Sequence, residues 1–444
     1  MNYRIIPPEG FVEARLNLPL SKSMSNRALI INALTPGASP LTEVAECDDT
    51  EAMLNALTAE GADVVNVGAA GTTMRFLTAY YATREGNTVL LDGSERMHHR
   101  PIKVLVDALR SLGAEIEYAG EEGFPPLRIT GKKLAGGKLT LDASVSSQYI
   151  SALLMVAPLM ENGLELTLEG DIVSRPYINM TLKMMRDAGV ESEFYLNTIT
   201  VPHREYRPTL PPIEGDWSAA AVWYEIEALS SGMVTIDNLS RDSCQGDRRL
   251  ADIFTHIGVD TVWEGEEGGT DLCANPDADA RINVDFTENP DLAQYIMVTC
   301  AMLGLPFRFT GLSTLAIKET DRVTAVANEL TKIGILLNVE SRDMVSWDGR
   351  RVPFMELPQF DTYEDHRMAM CLAPVALYIP GIVIRDVEVV SKSYPHFWEE
   401  LCKAGFTLLE YNENSENAEN PEGSESSGNA ESSENSQPGQ EELK

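Results

Sequence analysis

The chain has 444 residues, with 35 Lys and Arg against 68 Asp and Glu, a net charge of −33 and 43% hydrophobic residues. That length allows two or more domains with real cores, and the charge argues against general binding of nucleic acid or of an anionic membrane. No apolar run reaches the roughly 18 residues of a membrane span, Met1–Arg4 leads into Pro7-Pro8 and not into a signal sequence, and the cysteines and histidines are scattered without ligand spacing, so the expectation is a cytoplasmic protein with reduced thiols, no disulfide frame and no metal.

In chain order, Leu18–Leu29 comes first. It places Lys22, Ser23 and Arg27 at the start of an apolar helix (Ala28, Leu29, Ile30, Ile31, Leu34), with Ser23 as the N-cap. Free backbone N–H groups, an ammonium and a guanidinium at a helix N-terminus suit a small anion. An ordinary capped helix with two surface cations fits the same residues equally well. Ala69–Leu77 is a glycine turn opening a helix, where Gly71 lets the backbone approach a ligand and Thr72 can cap. Arg100 stands before Pro101 at another helix start. Ser146, Ser147 and Gln148 precede an apolar helix over Ile150–Ala157. They offer neutral donors to a phosphate, or simply a capping cluster. Ser174–Tyr177 opens a further helix in the same style.

The second half repeats the habit. Asn289–Ala293 is a helix start with Asp291 in its first turn. Thr314–Arg322 gathers Lys318, Glu319, Asp321 and Arg322, with Lys318 and Arg322 four apart and on one helix face. Asp365, His366 and Arg367 stand before a helix, Met368–Leu377, too apolar to be exposed. Ser391–Pro395 adds Lys392 before one more helix. If these helix starts face one cleft, it is strongly positive inside an acidic protein and focuses a polyanionic substrate.

A repeat underlies this pattern. Six helix ends run into a glycine and then an alternating, strand-like stretch, at Gly61, Gly113, Gly189, Gly258, Gly334 and Gly405. Each glycine sits where a residue just past a helix adopts positive φ. The spacing suits compact α/β units, three per half, giving two similar domains; the first interval is short, so the first unit is truncated. From Asn412 to Lys444 the composition collapses into Glu, Asn, Ser and Gly without an aromatic or β-branched residue, and a disordered acidic tail is expected.

Together, the Ser21–Leu29, Ser144–Gln148, Ile317–Arg322 and Asp365–Met370 segments, in that order, resemble the EPSP synthase family of enolpyruvyl transferases over roughly Ile6–Leu409. The resemblance implies an inside-out α/β barrel in each of two domains, with helix N-termini facing the cleft between them. One domain would comprise 1–20 plus 214–411 and the other 21–213, with 412–444 as tail. It implies transfer of the enolpyruvyl group of phosphoenolpyruvate to the 5-hydroxyl of shikimate 3-phosphate, with release of phosphate, by a monomer needing no cofactor. Carried over, Lys22, Ser23, Arg27, Ser146, Ser147, Gln148, Ser174, Tyr177, Asp291, Thr314 and Lys318 hold shikimate 3-phosphate. Lys22, Gly71, Arg100, Gln148, Arg322, Arg367 and Lys392 hold phosphoenolpyruvate. Asp291 is the base, Glu319 the acid–base group at the methylene carbon, and Lys22 touches both substrates.

The chain departs from the family pattern at Ala69, Phe76 and Thr314, and between Asp49 and Gly71 a hairpin-sized piece is missing. Ala69 and Phe76 fall near the expected enolpyruvate pocket and bear on sensitivity to glyphosate-like inhibitors. Two other readings compete. A sister transferase acting on UDP-N-acetylglucosamine would carry a loop cysteine where His98-His99-Arg100 stands; a non-catalytic anion-binding homologue would have lost Asp291 or Glu319.

Overall fold

A computed structural model describes residues 1–59, 61–144, 146–265 and 269–412. The expected tail, Asn412 apart, lies outside the described residues. No helix among those described is long and apolar enough to cross a membrane.

The described residues form five four-stranded sheets with one shared topology. Each has a parallel pair followed by two antiparallel strands. In one, Val64–Asn66 runs parallel to Thr88–Asp92, which pairs antiparallel with Leu127–Thr130, itself antiparallel to Glu115–Tyr118. Alternation puts one face inward: Val89, Leu91, Ile116, Leu127 and Ile129 are all buried. The six predicted glycines all take positive φ. Five of them lead into the third strand of a unit. After Gly61 the chain passes directly to Val64–Asn66, the first strand of the next unit's sheet. Among the described residues the first unit therefore has helices but no sheet of its own.

The cores divide in two. One hydrophobic cluster runs from Met24 to Tyr206; the other joins Ile5–Leu18 to Trp217–Phe406. In the first, helices Lys22–Ala33, Gly71–Ala82 and Ser147–Val156 pack against one another. In the second, Trp217–Ser230, Ala293–Leu303 and His366–Leu372 do the same. These helices are buried nearly all round, as their apolar composition requires.

The chain crosses between the clusters twice, at adjacent points. Leu20 and Gly215 form an antiparallel bridge; Ser21 N–H donates to the Glu214 carbonyl at 2.8 Å and Asp216 N–H to the Pro19 carbonyl at 2.9 Å. The Asn238 amide grips Leu18 at both its N–H and its carbonyl, each at 2.8 Å. A Cβ on Gly215 would lie 2.6 Å from the Asn238 carbonyl oxygen, so the close approach needs glycine.

Candidate active site

Between the two clusters lies a cavity of about 290 Å³. Every residue expected to bind a substrate or react lines it except Lys392, which lines a neighbouring cavity and reaches Glu319 Oε1 with its Nζ at 3.2 Å.

The local folding differs from expectation at several points. Ser21, not Ser23, caps Lys22–Ala33, its Oγ accepting from Met24 N–H at 3.5 Å. Ser23 falls in the first turn and lines the cavity. Helix Gly71–Ala82 has no side-chain cap, and Thr72 Oγ1 instead accepts from Gln148 Nε2 at 3.0 Å. The apolar helix begins at Ser147, with Ser146 as its cap, rather than at Ile150. Ser174 takes φ 54° before helix Arg175–Asp187 and makes no capping bond. Asp291 sits in a 3-10 turn, Pro290–Leu292, leading into Ala293–Leu303. Lys318 and Arg322 do not share a helix face. Lys318 follows the 3-10 turn Ser313–Ile317, and the helix starts only at Arg322, capped by Asp321. The apolar helix of the Asp-His-Arg segment starts at His366, with Asp365 as its cap.

Lys318 and Arg322 nevertheless converge on one carboxylate. Asp291 Oδ1 is 2.8 Å from Arg322 NH1 and 3.2 Å from Lys318 Nζ, and its Oδ2 is 3.5 Å from Arg367 NH2. Arg322, 2% exposed, also donates to Glu319 Oε2 at 2.8 Å and to Asp365 Oδ2 at 2.7 Å. One guanidinium thus holds three carboxylates, a use of its fixed fork that an ammonium could not copy. Burial pushes the Asp291 carboxyl up, but Lys318, Arg367 and Arg322 outweigh it and hold the group well below its ordinary value. Glu319 follows the same pattern: burial raises it, while Lys392, Arg322 and Arg100 bring it down further.

The other wall is cationic and hydroxyl-rich. Lys22 Nζ pairs with Asp49 Oδ2 at 3.1 Å; burial lowers its pKa, and Asp49, Cys47 and Glu319 together more than restore it. Arg27 lines the cavity, yet its donors go to Thr181 Oγ1 at 2.8 Å, the Ser23 carbonyl at 2.8 Å and Ser151 Oγ at 3.1 Å. Its guanidinium lies over Phe76 and Tyr177, 5.3 and 5.8 Å from the ring centroids. Burial lowers it to about 10. Phe76 is therefore fully buried behind Arg27 and is not part of the cavity wall. The Ala69 carbonyl accepts from Lys392 Nζ at 3.3 Å.

Sequence reasoning left out Thr72, Arg75, Asp49 and His366, which also line the cavity. Arg75 lies within helix Gly71–Ala82 and is buried, with its NH1 on the Gly71 carbonyl at 2.8 Å. His366 was visible only as the middle of the Asp-His-Arg triplet. It is 2% exposed, with neither ring nitrogen hydrogen-bonded among the described residues. Burial, Lys22 and Arg367 hold it well below its ordinary pKa, hence neutral. All six cysteines are unpaired, and no group of three metal-ligating side chains occurs among the described residues.

The sequence and fold have close counterparts. The family model for EPSP synthase (3-phosphoshikimate 1-carboxyvinyltransferase) matches residues 7–65 and 58–401. Residues 58–65 are matched twice, where the sheetless first unit runs into the second. The chain is 50% identical over 408 residues to a 3-phosphoshikimate 1-carboxyvinyltransferase of Bacteroides fragilis, covering 91% of this chain and 98% of that one. A protein of the same name from Haemophilus influenzae is 38% identical over 435 residues, covering 90% and 98%. The structure of EPSP synthase from Acinetobacter baumannii superposes with a TM-score of 0.74 at 22% identity, covering 92% of this chain and all of that one, a likeness of fold. The family match spans most of the chain and the identities hold over nearly the full length of the relatives: this chain belongs to the EPSP synthase family.

Proposed function

We propose that the cavity joins shikimate 3-phosphate to phosphoenolpyruvate, the 5-hydroxyl oxygen adding to C2 while C3 gains a proton, and phosphate then leaving C2 of the tetrahedral intermediate as C3 gives a proton back and the double bond re-forms. The observation that carries this reading is the convergence of Lys318, Arg322, Arg367 and Lys392 on the two carboxylates Asp291 and Glu319, with Lys22 and Arg100 lining the same cavity as those carboxylates.

The roles follow from which groups compete. Shikimate 3-phosphate brings a phosphate to Ser23, Ser146, Ser147 and Lys22, and its ring hydroxyls to Gln148, Tyr177, Thr314, Lys318 and Asp291, with Ser174 and Arg27 completing the wall. Phosphoenolpyruvate brings a carboxylate suited to the paired N–H donors of Arg322 and Arg367, and a phosphate for Lys22, Arg100, Gln148, Lys392 and the Gly71 backbone. A carboxylate held far below its ordinary pKa is a poor base and a poor acid. The incoming anions take over the cations that hold Asp291 and Glu319. Asp291 can then accept the 5-hydroxyl proton with Lys318 beside it, and Glu319 can carry the proton that goes to C3. Substrate binding thus makes the catalysts.

Each half is read as an inside-out α/β barrel, 1–20 plus 214–411 and 21–213, three helices inside and sheets outside. The chain is read as a cytoplasmic monomer; both walls of the site come from one polypeptide, so the site is complete without a partner's residue. The deciding assay is phosphate release from the purified chain. Release is expected only with both substrates present and none with UDP-N-acetylglucosamine in place of shikimate 3-phosphate; no release above background from folded protein overturns the reading.

A further inference from the structure

Beside the main cavity lies a second, of about 180 Å³, far above the roughly 10–15 Å³ that admits one water. The two share Arg100 and Glu319, and Lys392 lines the second. The cations assigned to the substrate phosphate therefore stand between two chambers. On the far side are Ser94, Arg96 and Ser391. Ser94 Oγ and Arg100 Nε are buried and have no hydrogen-bond partner among the described residues. Such donors normally find an acceptor, and an oxyanion would supply one to each.

The outer wall of this chamber consists of contacts between the two halves of the molecule. Arg96 NH1 meets Glu364 Oε2 at 2.7 Å, with the Glu364 side chain 78% exposed, and Ser391 Oγ donates to Asp48 Oδ2 at 2.6 Å. An exposed pair of this kind is worth about 0–1 kcal/mol. The wall is weak beside the buried Arg322 network.

We propose that the second chamber is an exit station for inorganic phosphate. Resting on the reaction proposed above, the phosphate freed from the tetrahedral intermediate passes between Arg100 and Lys392. Ser94, Arg96 and Ser391 then hold it, Arg96 exchanging Glu364 for the phosphate oxygens. It leaves through the contact that Arg96 has vacated. The carboxylates of Asp48 and Glu364 border the same space and keep the hold weak, as a passage requires. The organic product can remain in the main cavity meanwhile.

The test compares the full chain with a Ser94→Ala/Arg96→Gln variant. Inorganic phosphate is used as the inhibitor, and both steady-state and single-turnover rates are followed. The expected result is an inhibition constant for phosphate raised at least fivefold. Steady-state turnover falls threefold or more, the single-turnover rate does not fall with it, and Arg96→Lys recovers part of the loss. An unchanged inhibition constant overturns the exit station, as does a single-turnover rate that falls in parallel with turnover, which would place these residues in the chemistry or in closure. If the unaltered chain releases no phosphate from the two substrates, the underlying reaction is what has failed.

Discussion

Arg322 and Asp291 are joined NH1 to Oδ1 at 2.8 Å, and the same guanidinium reaches Glu319 and Asp365. The pairing links the proposed base and the proposed acid through one buried cation.

Removing that cation leaves three carboxylates with reduced compensation. Arg322→Met should cost about 3–5 kcal/mol of stability, the usual range when one partner of a buried ion pair is lost. Arg322→Lys keeps the charge and loses the fork, so stability should largely return while the KM for phosphoenolpyruvate stays at least tenfold high. Urea unfolding and steady-state kinetics of the two variants check both halves of this statement.

Glu319→Gln should lower kcat by about 10²–10⁴, the range for loss of a general acid–base group. Substrate dissociation constants should move less than tenfold. Calorimetric titration set beside turnover separates the two effects; equal turnover in variant and parent removes Glu319 from the chemistry.

If substrate anions draw Lys392, Arg322 and Arg100 away from Glu319, its carboxyl rises and takes up a proton on binding. Titrating phosphoenolpyruvate into enzyme with shikimate 3-phosphate, in buffers of different ionisation enthalpy, should report net proton uptake near neutral pH. The uptake should vanish in Glu319→Gln. Zero uptake in the parent contradicts the exchange of partners.

Two classes of carboxyl give stability opposite pH dependences. Asp291 and Glu319 lie below their unfolded values near 3.9 and 4.3, so their contribution is present above about pH 4.3 and is lost as pH falls towards their folded values. Glu225 is fully buried, neither oxygen has a hydrogen-bond partner among the described residues, and burial raises its pKa well above the ordinary value. Its folded form keeps a proton that the unfolded chain gives up, so stability falls as pH rises above about 4.3. Glu225→Gln should leave the melting temperature at pH 4 nearly unchanged and raise it at pH 8 by roughly 3–6 °C, about 1–2 kcal/mol. A rise of the same size at both pH values would count against a titrating Glu225.

A Cβ on Gly71 would fall 2.5 Å from Arg100 NH1 and 2.6 Å from Arg75 NH1. Both are ends of flexible side chains, so Gly71→Ala should fold and displace the guanidiniums. The KM for phosphoenolpyruvate should rise about tenfold, with the KM for shikimate 3-phosphate within twofold.

Much of this was legible in the residues. The six glycines announced the repeat because φ > 0 after a helix is a local demand, and all six have it. The cationic helix starts were legible for the same reason, and the fold gathers them round one cavity. What sequence could not give was set by contacts across the chain. Ser21 and Ser23 are equally good caps on paper, and the strand partner at Glu214 helps fix Ser21 at the helix mouth. Arg27 lines the cavity as its place in the sequence suggests, but its bonds to Thr181 and Ser151, far along the chain, could not be read locally. Lys318 and Arg322 meet at Asp291 without sharing a helix, a convergence of tertiary origin.

The paired crossings at Leu20 and Gly215 also make the stretch between them, which carries the Met24–Tyr206 cluster, an insertion in the topological sense. Both of its ends emerge side by side from one point of the other half, already in antiparallel register. A two-residue turn is enough to close such a pair. Chains joined across that gap, and the excised segment supplied separately, would ask whether an active site assembled from two faces needs its faces to be covalently one molecule.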